Sequence, residues 1–200
     1  MGFSRFVLGL SFLGLAADAA ATDFIGIEMG RPLDMTRCVD FSYSDPAVYR
    51  QLGYGKQPAY PCWVPQADKS DREVRTDGMY VVIVKADVPD GISMLMPILF
   101  DGIVEVVVAE TRGLAVQDGI EAALARKFGE PVRRVVAHPS NAFGATFPST
   151  QAEWQLPDAR VEFNGVNGNV KSGRITIMTA RGQARMQAQA EMEQAGKIGF

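Results

Sequence analysis

Two strand-length apolar runs, 92–100 and 103–111, are separated by nothing but Asp101 and Gly102. A two-residue reversal between strands uses a type I′ turn, which needs positive φ at both central residues, and Asp-Gly is a pair that supplies it. The chain is therefore predicted to double back here as an antiparallel hairpin. A further apolar run at 79–85 precedes it. Whatever else folds around this region has to accommodate a sheet.

The second half adds a helix. Asp118 is placed as N-cap with Glu121 three residues on, a capping-box arrangement, and Ile120, Leu124 and Phe128 form one apolar face over 119–128. Gly129 and Pro131 stop it. Strands are predicted at 132–137, 152–156, 160–166 and 174–180, with Pro157–Asp158 and Asn167–Gly168–Asn169 as turns. Apolar and polar residues alternate from Arg160 to Asn164 and through Ile175, Thr176 and Ile177, as a sheet with one buried face requires. Residues 183–195, rich in Ala, Gln, Met and Glu, are predicted to form a C-terminal helix that holds only by docking. Residues 69–77 are dense in charge and read as a solvated loop. The expected fold class is α+β: a helix packed on antiparallel sheet, in two tandem modules, with a terminal helix.

With 200 residues, the chain makes one domain or two small ones, which excludes a large enzyme. Its 47% apolar and 22% charged residues are those of a globular chain with a core. The net charge of −3 provides no basic field for nucleic acid or an anionic membrane surface. At the N-terminus, Arg5 precedes an apolar run of about a dozen residues, and Ala17, Ala19 and Ala21 present two overlapping A-x-A cleavage patterns. The run is too short to span a bilayer and meets Asp18, so residues 1–21 are expected to be a signal peptide, and the product periplasmic or secreted. No later stretch is long and apolar enough for a membrane span. In an oxidising compartment the two cysteines, Cys38 and Cys62, are expected to form one disulfide, the alternative being two free thiols.

Tyr43, Tyr49, Tyr54 and Tyr60 lie between those cysteines, and Trp63 follows. Their gaps fit neither strand nor helix period, and Pro46, Gly53, Gly55, Pro58 and Pro61 forbid a long regular element. Tyrosine and tryptophan offer large amphipathic contact area at low entropic cost, so a stapled loop of this composition suits recognition. The alternative is a loop whose rings fill a satellite cluster against the sheet.

The segment Met29–Gly30–Arg31–Pro32–Leu33 is echoed by Phe128–Gly129–Glu130–Pro131–Val132. Each copy is followed by a tryptophan, by apolar strands, and by Thr111–Arg112–Gly113 or Thr179–Ala180–Arg181–Gly182. The echo divides the exported chain into modules over 22–113 and 114–200. A helix ending in Lys127–Phe128–Gly129–Glu130–Pro131, followed by strands that include Trp154, resembles the small envelope α+β modules of the BamE/SmpA type and the tandem β-lactamase-inhibitor-protein type, chiefly over 116–180. The resemblance implies a module that binds other proteins and performs no chemistry. The chain departs from the BamE pattern in having no lipidation cysteine after the apolar run.

Chemistry finds little support in the residue pattern, and no cofactor, metal or catalytic residue is predicted. His138 is the one histidine, which excludes two-His zinc signatures, and neither Ser140 nor Ser149 is framed by a nucleophile elbow. Asp68, Asp71 and Glu73 lack the order of a calcium loop. Gly53-x-Gly55 and Gly165-x-x-Gly168 lack the context of a phosphate loop. Asp40, Asp45, Asp68, Asp71, Glu73 and Asp77 supply carboxylates, but no spacing singles out a hydrolytic pair. Arg126, Lys127, Arg133 and Arg134 form one compact basic cluster, which suits an anionic partner but is better explained as a helix C-terminus followed by an exposed strand edge. The expected role is a non-enzymatic module binding an envelope protein through the tyrosine loop. The alternatives are a binder of cell-wall glycan and a carboxylate-dependent hydrolase of wall or peptide.

Overall fold

The structure, a computed structural model, describes residues 21–36, 61–65, 77–84, 89–140 and 144–198. The described chain is α+β. A short ribbon pairs β1 (Asp23–Phe24) with β2 (Ile27–Glu28). The main sheet has eight antiparallel strands: β3 (Cys62–Pro65), β4 (Asp77–Val84), β5 (Ile92–Phe100), β6 (Ile103–Thr111), β7 (Arg133–Ala137), β8 (Ser149–Gln155), β9 (Arg160–Asn164) and β10 (Gly173–Met178). Their spatial order is β3-β4-β5-β6-β10-β9-β8-β7. Each half of the chain thus contributes a four-strand meander, and the meanders join last strand to last strand. That seam runs from Gly173 opposite Thr111 to Met178 opposite Val106. One sheet passes through both halves of the sequence.

The β5–β6 hairpin turns at Asp101 and Gly102, with φ of 51° and 77°, the left-handed pair that a type I′ reversal demands. Along β9 and β10 the alternation sorts side chains as expected: Val161, Phe163, Ile175 and Ile177 are buried, while their sequence neighbours are half-exposed. Together with Trp154, Val104, Leu95, Phe24, Ile27 and Met29 they form the principal core on one face of the sheet. Helix α1 (Gln117–Phe128) seals that face by lying over β8, pressing Ile120 and Leu124 into the core. On the opposite face, α2 (Ala180–Ile198) crosses β6 and β10, and Met186 packs on a small cluster of Ile98, Phe100 and Val106. Gly182 permits this approach: a Cβ there would lie 2.3 Å from the Glu105 carbonyl oxygen.

The start of α1 differs from expectation. The helix begins at Gln117 with Val116 as N-cap, and no side chain caps it. A 3₁₀ turn at Gly113–Ala115 leads directly into it, and the first helical bond runs from the Ile120 N–H to the Val116 carbonyl. Asp118 therefore sits inside the first turn, where its charge favours the helix dipole but its carboxylate no longer has the capping position. Glu121 binds Arg134 instead of reaching back. The sequence pattern misplaced the cap because the preceding 3₁₀ turn, held by the bond from the Leu114 N–H to the Val170 carbonyl, depends on a segment remote in sequence.

Candidate functional site

The two edges of the main sheet are the places where this fold exposes backbone groups able to pair with another chain. They are treated differently. At the first edge, Cys62 in β3 is fully buried, and Trp63 packs half-buried against the principal core. The segment that follows β2 runs beside this strand. The Trp63 N–H donates to the Thr36 carbonyl at 3.1 Å, and the indole Nε1–H donates to the Met35 carbonyl at 3.0 Å. The chain's own backbone therefore covers the β3 edge at Trp63.

At the far edge, β7 pairs with β8 alone among the described residues, from Arg133 opposite Glu153 to Ala137 opposite Ser149. Four of its five residues are exposed. Val135 and Val136, 39% and 40% exposed, project from opposite faces of the strand, and Val132 just before it is 67% exposed. Every second residue of an antiparallel edge strand turns its N–H and C=O away from the sheet, so β7 combines outward backbone groups with apolar side chains. Proline flanks the strand at 131 and 139 but does not interrupt it.

The basic cluster of the sequence gathers at this edge and is partly neutralised within the chain. The Arg134 guanidinium donates to Glu121 on α1, through Nε at 2.5 Å and Nη2 at 3.1 Å. That hydrogen bond, reinforced by the Glu121 charge, raises the Arg134 pKa further above its ordinary value, so it stays a cation throughout the accessible pH range. Lys127 pairs with Asp23 at 3.1 Å. Arg126 and Arg133 are exposed. The open face next to β7 carries a charge ladder in which Arg160 Nη2 lies 3.0 Å from both Glu153 and Glu162, while the buried Nε atoms of Arg160 and Arg174 have no partner in the structure. Arg133, Gln151, Glu153, Arg160, Glu162 and Asn164 line a shallow hollow there.

Of the residues the sequence singled out, Tyr43, Tyr49, Tyr54, Tyr60 and Cys38 lie outside the described residues. Trp63 and Cys62 lie at the closed edge, opposite in the sheet to β7. Asp40, Asp45, Asp68, Asp71 and Glu73 also fall outside. Several of the described carboxylates are committed to partners: Glu105 to Thr179 and Arg181, Asp101 to Arg181, and Asp158 to Thr22. His138 and Ser140 are exposed beyond the end of β7, and Ser149 is buried in β8. Trp154 presents no open ring face of the kind that stacks on sugars, being fully buried with its Nε1–H donating to the Gly129 carbonyl at 2.7 Å. Among the described residues, no group of three His, Cys, Asp or Glu side chains is placed to hold a metal ion, and no helix is long and apolar enough to cross a membrane.

Sequence reasoning missed Gln117. Its side chain is buried, donating to the Pro148 carbonyl at 2.9 Å and accepting from the Thr150 N–H at 3.2 Å, which fixes the start of β8 against α1. Nothing local marks a glutamine in the first turn of a helix for that task. The exposed edge, by contrast, was already one reading of the Arg133–Arg134 pair, while the exposure of the three valines around it was not foreseen.

Comparison of the chain with protein-family models, with curated proteins and with solved structures finds no match. The functional reading therefore rests on the geometry of this chain.

Proposed function

We propose that the chain is an exported, non-enzymatic module, periplasmic or secreted, that binds another protein by accepting an extended segment of it along β7. The observation that supports this reading is the contrast between a β3 edge met by the chain's own backbone at Trp63 and a β7 edge that, among the described residues, no further strand meets and that carries three exposed valines. A partner strand would satisfy the outward N–H and C=O groups and cover Val132, Val135 and Val136. Arg133 and Arg126 select for acidic residues in that segment, since Arg134 and Lys127 are already engaged. The tyrosine loop, closed by a Cys38–Cys62 disulfide, supplies a second contact in this proposal, and its support is its composition.

The test is a photo-crosslinking residue placed in living cells at Val135 and, separately, at Tyr54, with mass spectrometry of both joined peptides. The expected result is one protein partner joined through an extended acidic segment at 135, and loss of that adduct in Val136→Lys. Adducts from 135 confined to the chain itself overturn the β7 reading. Capture of glycan at 54 moves the function to cell-wall binding.

A further inference from the structure

The strongest unassigned feature lies at the first residues of the described fold. Thr22 is held at three points. Its backbone N–H donates to Asp158 Oδ2 at 2.6 Å, its hydroxyl donates to Asp158 Oδ1 at 2.5 Å, and its carbonyl accepts from the Met29 N–H at 2.8 Å. Asp158 stands in the β8–β9 turn, which is closed by the Leu156 N–H on the Ala159 carbonyl at 2.8 Å. A carboxylate 136 residues away in sequence thus grips both the nitrogen and the hydroxyl of one threonine. The residue before it is Ala21, the last position of the second A-x-A pattern, Ala19-x-Ala21.

We infer that Ala21–Thr22 is the processing site and that the Thr22 nitrogen it releases becomes an ammonium bound by Asp158. The inference rests on the export reading proposed above. A leader-removing peptidase adds water across the Ala21–Thr22 amide: the C–N bond breaks, Ala21 leaves as a carboxylate, and the freed amine of Thr22 takes up the proton as an α-ammonium. The atom that gains the charge is the one already 2.6 Å from Asp158. A hydrogen bond in which only the acceptor is charged becomes an ion pair in which both partners are. Cleavage at the competing pattern, after Ala19, would leave Ala20 and Ala21 attached, so the nitrogen facing Asp158 would remain an amide. The fold therefore gives a physical reason to prefer the boundary after Ala21 over the overlapping pattern that ends at Ala19. Processing also tightens the attachment of the segment carrying Phe24, Ile27 and Met29, all of which sit in the principal core.

The experiment expresses the full chain in a Gram-negative host, isolates the periplasmic protein and reads its N-terminus by free-amine labelling and mass spectrometry. Thr22 as the first residue is the expected result. Ala20 as the first residue overturns the site while leaving export intact, and an uncut chain retained in the cytoplasm overturns the export reading and this inference with it. The ion pair is tested on the Thr22 chain itself by comparing free and N-acetylated termini, with and without Asp158→Asn. Acetylation is expected to lower Tm by about 2 °C in the wild-type background and to have no effect in Asp158→Asn. An equal loss in both backgrounds overturns the pairing.

Discussion

Both edges of the eight-stranded sheet are short strands, yet one is closed and the other open. At β3, Cys62 is fully buried, Trp63 packs half-buried against the core, and the Thr36 and Met35 carbonyls accept from the Trp63 backbone N–H and indole. At β7 four of the five residues are exposed, and the strand is held by its ladder to β8 with one ion pair, Arg134–Glu121, reaching α1. The difference teaches that an edge strand's fate is set by whether another stretch of the chain runs beside it. Residues 35–36, which follow β2, meet β3 at Trp63, whereas the segment before β7 leaves α1 at Gly129 and enters the strand directly.

The comparison can be broken most forcefully at the closed edge. Loss of the proposed Cys38–Cys62 bridge, through Cys62→Ser, is expected to cost about 3 kcal/mol, read as the change in urea unfolding. An unfolding midpoint indifferent to reductant would remove the bridge from the account. Trp63→Ala should cost about 2–3 kcal/mol, less than a fully buried ring, because the indole is half-buried but anchored on Met35. Gln117→Ala, which unpins the start of β8 beneath β7, is expected to cost about 1–3 kcal/mol by leaving the Thr150 N–H buried without its acceptor. At the open edge, Val135→Lys and Val136→Lys should change stability by no more than about 0.5 kcal/mol while abolishing partner crosslinking. Should the valine variants destabilise as much as Trp63→Ala, β7 is covered in solution and the contrast between the edges fails.

Much of the sheet could be read locally. The Asp101–Gly102 reversal, the alternation in β9 and β10, and the C-terminal helix follow from turn chemistry, pleat and propensity, which act within a few residues. The start of α1 could not be read. Asp118 and Glu121 have the spacing of a capping box, but Val170 meets the preceding turn and Arg134 takes Glu121. The same holds for Gln117, whose partners at Pro148 and Thr150 are over 30 residues away. The site was little legible: an exposed strand edge was one reading of the Arg133–Arg134 pair, while the exposure of Val132, Val135 and Val136 and the position of the strand at the end of the sheet were invisible.

The sequence by itself determined the strands from β4 to β10 and the two helices in outline, where the central hairpin turns, and which faces of β9 and β10 are buried, because φ preferences and hydrophobic periodicity are properties of neighbouring residues. The short strands β1, β2 and β3 carry no such local pattern and were not read. Only the tertiary structure decided that β6 pairs with β10, so that the two meanders share one sheet with β3 and β7 at its ends. Strand pairing across the chain has no local code. It is selected by burying both sets of apolar faces at once, and that choice leaves β7 with no strand beyond it among the described residues and brings Asp158 to the nitrogen of Thr22.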